Sequence, residues 1–313
     1  MSQMLSGGHF IDLKDIPAPV LRHIVETAKK WKQARRGLPK GAVDAGAPLK
    51  GHALAMIFEK SSTRTRISFE MAMQQLGGTS VILQGDNMQL GRGETVADTA
   101  RVISRYVDAV MIRANSHEAV LELAQKGSVP IINALTDRSH PCQLMADVMT
   151  IEEHLGPIEG RKIAWLGDGN NVATSLIEAA VKFDFELALA CPQGHAPSDS
   201  LVAWAEAEGG KIDVVGTATE AAEGASAVIT DTWSSMGDSH NEAKLQALEA
   251  YQVDDAIMRT AAPDALFLHC LPAHRGEEVS ASVLDGPQSV VWDEAENRLH
   301  AQKAVLAWAL GKI

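Results

Sequence analysis

His52-Ala53-Leu54-Ala55-Met56-Ile57-Phe58 is a short apolar run, and Glu59-Lys60-Ser61-Ser62-Thr63-Arg64-Thr65-Arg66 follows it directly. The run reads as a strand covered on both faces, because it is apolar throughout and shows no alternation. The polar octet then opens a helix that runs to Leu76, ahead of Gly77-Gly78 and a second strand at Ser80–Leu83. Strand, polar loop, helix and strand form the unit from which parallel sheets are built.

The same grammar extends in both directions. Upstream, Leu21, Ile24, Val25, Ala28 and Trp31 form a helical stripe after Pro17 and Pro19, ending at Arg35-Arg36-Gly37. Downstream, a polar glycine-bearing stretch (Gln84–Glu94) leads to a helix over Thr95–Tyr106, then strands at Ala109–Ile112 and Val129–Asn133. A helix over Gln143–His154 runs into Leu155-Gly156-Pro157, where a second series begins. Its expected strands are Lys162–Leu166, Glu186–Ala190, Ala227–Thr230, Ala265–Leu268 and Ser289–Trp292, and a last helix covers Gln302–Leu310. The expectation is an α/β chain of two domains, each a parallel sheet with helices on both faces.

Composition narrows the function. The 313 residues suit two domains. Forty acidic residues against 28 Lys and Arg give a net charge of −12, which speaks against nucleic-acid or anionic-membrane partners. Cys142, Cys191 and Cys270 form no CxxC pair, so neither a structural zinc site nor a disulfide framework is expected. Met1–Asp15 lacks a basic, then apolar, leader, and no run of about 18 apolar residues occurs, so a cytoplasmic chain is expected.

Parallel sheets bind ligands at the carboxyl ends of their strands, so the residues after each strand decide the chemistry. Ser62, Thr63, Arg64 and Thr65 stand between a strand and a helix start, where unsatisfied N–H groups, hydroxyls and a guanidinium suit a phosphate. An ordinary helix cap with solvated arginines is the competing reading. His140, before a helix, can donate to a carbonyl oxygen, and Gln143 can bond an amide in both senses; a capping histidine is the alternative. Gly167-Asp168-Gly169-Asn170-Asn171 is half of a dinucleotide fingerprint. Val172 replaces its third glycine and Cys191-Pro192 lacks the ribose-binding acid, so no nicotinamide cofactor is expected. Asp231, followed by Ser235-Met236-Gly237, suits an amino group, and Asp238–Lys244 reads as a possible lid. Cys270 sits between His269 and His274-Arg275. A metal there is disfavoured because Pro272 breaks the ligand spacing and no nearby carboxylate completes the set. Arg298 is read as a first-turn helical residue opposing the macrodipole, which asks for a ligand.

Taken together, Phe58 through Arg66, His140-Pro141-Cys142-Gln143, Asp231 through Gly237 and His269 through Arg275 resemble the aspartate/ornithine carbamoyltransferase family over essentially the whole chain. The Ser-Met-Gly and His-Cys-Leu-Pro elements point to its ornithine branch. The resemblance implies transfer of a carbamoyl group from carbamoyl phosphate to ornithine, giving citrulline in arginine biosynthesis. No metal or cofactor is required. The related alternative is a carbamoyltransferase for putrescine or an acylated ornithine.

It also implies a carbamoyl phosphate domain over 1–140, completed by the C-terminal helix 299–313, and an ornithine domain over 141–298. A homotrimer with sites at subunit interfaces is implied as well. By resemblance, carbamoyl phosphate is held by Ser62, Thr63, Arg64, Thr65, Gln89 of a neighbouring subunit, Arg113, His140, Gln143, Cys270, Leu271 and Arg298. Ornithine is held by Asn171, Asp231, Ser235 and Met236. Cys270, Arg113, His140 and Asp231 are the implied catalytic groups. Arg64, Arg66, Arg113, Arg275 and Arg298 are expected to converge on the phosphate.

Overall fold

The computed structural model describes residues 7–60, 62–84, 94–233 and 241–313. The chain divides into two compact units, Met1–Met149 with Asn297–Ile313, and Thr150–Glu296. The first cut falls inside a helix rather than ahead of it, and Arg298 belongs with the first unit.

The first unit holds a four-stranded, all-parallel sheet. Its strands are β1 (Ala53–Phe58), β2 (Thr79–Gln84), β3 (Ala109–Arg113) and β4 (Ile131–Leu135), in the order β2-β1-β3-β4. Leu54, Ala55, Met56 and Ile57 of β1 are all at most 1% exposed, which is why that strand reads as an unbroken apolar run. Among the described residues, six α-helices belong wholly or partly to this unit: α1 (Ala18–Ala34), α2 (Thr63–Gln75), α3 (Val96–Ile103), α4 (His117–Lys126), α5 (Pro141–Leu155) and α12 (Val291–Ala309). In α2, Phe69, Ala72, Met73 and the following Leu76 are buried, the spacing of one helical face. The chain starts in the middle of the sheet, steps to β2, then crosses back to β3. Right-handed crossovers in opposite directions place helices on opposite faces.

The second unit repeats the plan with β5 (Lys162–Leu166), β6 (Glu186–Ala190), β7 (Lys211–Val215), β8 (Ala227–Thr230) and β9 (Leu266–His269), in the order β7-β6-β5-β8-β9. Its helices include α6 (Asn171–Phe183), α7 (Asp199–Ala207), α8 (Ala218–Ala222), α9 (Glu242–Leu248), α10 (Asp255–Thr260) and α11 (Ala281–Leu284). Ala164, Leu166, Ala188, Val228 and Phe267 join one buried cluster with Ala221, Ala222 and Val283.

Several expectations need correction. The strand at Ser289–Trp292 is absent: Ser289 makes only a single parallel bridge to Phe267, and Val291 already begins α12. Asp293 and Glu294 favour that early helix start, since acids in a first turn complement the dipole. The last helix is therefore much longer than Gln302–Leu310, and Arg298 lies about two turns inside it, not in its first turn. Strand β7 was not expected, because Lys211 and Asp213 interrupt it and its edge position leaves Val214 49% exposed.

The last helix packs back on the first unit. Trp308 meets Phe10 edge-on at 6.0 Å. Lys303, fully buried, bonds Asp44 and donates to Gln75 Oε1 at 3.0 Å, with its ammonium 5.9 Å from the Trp31 ring centroid.

Candidate active site

In the first unit, strand order reverses between β1 and β3, and the residues after those strands lie at the switch point where open parallel sheets take ligands. Ser62 caps α2: its Oγ accepts from Thr65 N at 3.4 Å and donates to Thr65 Oγ1 at 3.0 Å. Thr65 is completely buried, and Arg298 Nη2 donates to its Oγ1 at 2.9 Å. Arg113 ends β3 opposite Phe58, at a register shift against β4 that sets Ile112 on Asn133 and Arg113 on Leu135. Bulge-like shifts re-aim a side chain at a sheet end.

His140 precedes α5 and is buried. Burial, then the guanidinium groups of Arg298 and Arg113, holds its pKa well below the usual imidazole value, so the ring is neutral. A neutral imidazole flanked by two cations can donate to an oxygen without adding charge of its own. Gln143, also buried, donates from Nε2 to Asp147 at 2.8 Å, which orients its amide. The half-site therefore gathers a helix N-terminus, hydroxyls, two arginines and a neutral donor, and suits a small anion that also bears a carbonyl.

The second unit reverses its strand order between β5 and β8. Asn170 caps α6, its Oδ1 accepting from Val172 N and Ala173 N at 2.9 and 3.2 Å, while its Nδ2 donates to Asp231 Oδ2 at 2.8 Å. Asp231 Oδ1 accepts from Thr232 N at 2.7 Å and from the Cys270 thiol at 2.9 Å. A carboxylate offers about four acceptor positions, so among the described residues one position on Oδ2 remains for a ligand N–H. Gly169 is required here: a Cβ would stand 2.5 Å from Pro197 N.

Cys270 and Leu271 follow β9. Leu271 has φ 57°, a left-handed conformation costly for a branched residue. His269 holds that turn, its Nδ1 accepting from Leu271 N at 2.8 Å while its own N–H donates to Glu294 Oε2 at 2.8 Å. The structure does bring a carboxylate to this thiol: Asp231, His269 and Cys270 present ligand atoms within 4.8 Å of one another. Both His269 ring nitrogens face partners, however, Nε2 lying 3.2 Å from Glu278 Oε1. That leaves a thiol and an acid, a poor set for a metal.

Family comparisons match both halves. The carbamoyl-P binding domain of aspartate/ornithine carbamoyltransferases matches residues 8–153, and the Asp/Orn binding domain matches residues 159–309. The chain belongs to the aspartate/ornithine carbamoyltransferase family. Ornithine carbamoyltransferases of Rhizorhabdus wittichii and Caulobacter vibrioides are 59% and 58% identical to it, over 97% and 99% of this chain and 98% and 100% of theirs. The structure of ornithine carbamoyltransferase from Pyrococcus furiosus matches with a TM-score of 0.92 at 47% identity, over 99% of both chains. That of an anabolic ornithine carbamoyltransferase from Campylobacter jejuni matches with 0.88 at 38%, over 96% of this chain and 98% of the other.

Within this carbamoyltransferase, Ser62, Thr63, Arg64, Thr65, Arg113, His140, Gln143 and Arg298 all lie in the first unit, and Asn171, Asp231, Cys270 and Leu271 in the second. Gln89, Ser235 and Met236 lie outside the described residues. Two arginines do not follow expectation. Arg66 is exposed on α2 and approaches Glu70 at 3.9 Å, and Arg275 forks onto Asp285 at 3.0 and 2.8 Å. The expected lid is also partly accounted for: Asn241 caps α9, and Lys244 donates to Asp168 at 2.7 Å. Asn170, which orients Asp231, was missed in favour of its neighbour Asn171. The signal was its position as the cap before an apolar helix.

Proposed function

We propose that this chain transfers the carbamoyl group of carbamoyl phosphate to the side-chain amine of L-ornithine, releasing L-citrulline and phosphate. The donor's phosphate rests on the α2 N-terminus, Ser62, Thr63 and Arg64, with Arg113 beside it. His140, kept neutral, and Arg298 polarise the carbonyl oxygen and stabilise the oxyanion of the tetrahedral adduct. Asp231 and Cys270 orient the acceptor. The amine attacks the carbonyl carbon, the C–N bond forms, the C–O bond to phosphate breaks, and the departing phosphate takes the amine's proton. Orientation and fixed charge supply the rate, with no protein nucleophile.

One observation carries the choice of acceptor. The switch point of the second unit is built around a buried carboxylate with an acceptor position open, whereas a second carboxylate on the substrate would need cations there. Arginine biosynthesis and a cytoplasmic location fit this reading, and none of the three cysteines forms a disulfide. A homotrimer fits the large exposed apolar groups of the first unit, Ile67, Val81, Val102 and Tyr106. With carbamoyl phosphate in excess, ornithine, putrescine, acetylornithine and aspartate should be offered as acceptors. Ornithine should be carbamoylated with the highest kcat/KM; a higher value for any other acceptor would overturn the assignment.

A further inference from the structure

Behind the first half-site lies a buried polar network that the proposed chemistry does not use. The N-terminal segment runs beside β4, with Phe10 N donating to Ile131 O and Asn133 N donating to Phe10 O, both at 2.8 Å. This delivers Asp12, only 2% exposed, to the ligand end of the sheet. Ser139 Oγ donates to Asp12 Oδ1 at 2.5 Å, and His117 Nε2 stands 3.4 Å from Asp12 Oδ2. Asn133 Nδ2 donates to Ser139 Oγ at 2.9 Å and to Ile11 O at 3.1 Å. Burial pushes the Asp12 pKa up, but hydrogen bonds from His117 and Ser139 and the charges of His117 and Arg138 bring it below the ordinary carboxylate value, so it is ionised.

Ser139 is the residue before His140. The loop carrying both is held by side chains: Thr136 Oγ1 accepts from Arg138 N and Ser139 N at 3.3 and 3.2 Å, and lies 2.9 Å from His117 Nδ1. The loop after β3 is tied to the same set, since His117 N donates to Asp137 Oδ1 at 3.1 Å and Asp137 N donates to Asn115 O at 3.0 Å. Asp12 is thus the acidic centre of a network joining the loop of His140 to the loop that begins at Arg113. Buried hydrogen bonds of this kind hold in place the loops they join.

We propose that Asp12 is a positioning residue for the carbamoyl-donor half-site, fixing His140 through Ser139. The inference rests on the role given to His140 above. In Asp12→Asn, kcat for citrulline formation should fall about 10- to 100-fold, the usual scale for slight misplacement of a reacting group. The KM for carbamoyl phosphate should change far less, because its phosphate is held from α2. In a His140→Ala background the same substitution should cost little more, since residues acting as one unit are not additive. An equal fold-loss in both backgrounds, or full kcat in a folded Asp12→Asn, would overturn the proposal. If Asp12→Asn does not fold, Ser139→Ala cuts the same link and must show the same non-additivity; full kcat in that variant would be equally fatal. Absence of citrulline with the unaltered enzyme would instead reject the functional reading.

Discussion

The two half-sites use the same topology for opposite electrostatic tasks. At the switch point of the first unit, Arg113, Arg298, the α2 N-terminus and a neutral His140 gather hydrogen-bond donors. At that of the second unit, the centre is a carboxylate, Asp231, held by Asn170, Thr232 N and Cys270. The difference teaches that fold alone selects where a ligand sits, and the few side chains at strand ends select its charge. A chain of net charge −12 can therefore take an anion in one half and a cation in the other.

The contrast is broken most severely by removing a cation from the anionic half-site. Arg298→Ala should reduce kcat/KM for carbamoyl phosphate about 1,000-fold, the upper end for loss of one charged transition-state donor. It removes one of the two donors to Thr65 Oγ1, leaving that from Ser62, and one of the charges beside His140. Arg298→Lys should recover little, because an ammonium lacks the guanidinium fork. Steady-state kinetics of both variants check this.

A milder change sharpens the other side. Cys270→Ser should lower kcat/KM for ornithine about 10- to 100-fold and shift its pH profile, in line with altering one hydrogen bond to a charged group. Its KM for carbamoyl phosphate should move less than its KM for ornithine.

The smallest effect is on stability. Burial and two guanidinium groups hold the folded-state pKa of His140 below its ordinary 6.5. The unfolded chain therefore takes up the proton first, and this site costs stability as pH falls through that value. His140→Gln should thus gain on the unaltered protein by about 1 kcal/mol between pH 7.5 and 5.5. Denaturant titrations at the two pH values measure it; a constant difference would mean that His140 is not held neutral.

Much of this was legible in the sequence because parallel-sheet grammar is local. A short apolar run marks a strand, and the polar residues after it are the ligand end, which located Ser62–Thr65, Arg113, His140, Asp231 and Cys270. Arg298 lies well inside the long α12, so the first-turn argument for it does not hold. The supporting groups were not legible. Asp12 meets Ser139 across 127 residues of chain, and no periodicity links them. Edge strand β7 escaped because a half-exposed strand carries lysine and aspartate where an inner strand carries valine and isoleucine.

The central claim is a division of labour, and one two-substrate kinetic matrix for citrulline formation tests it directly, run on the unaltered enzyme, Arg64→Ala and Asp231→Asn. Arg64→Ala should raise the KM for carbamoyl phosphate while leaving that for ornithine near its original value, and Asp231→Asn should do the reverse. If both variants raised the KM for the same substrate, the assignment of donor to the first unit and acceptor to the second would be contradicted.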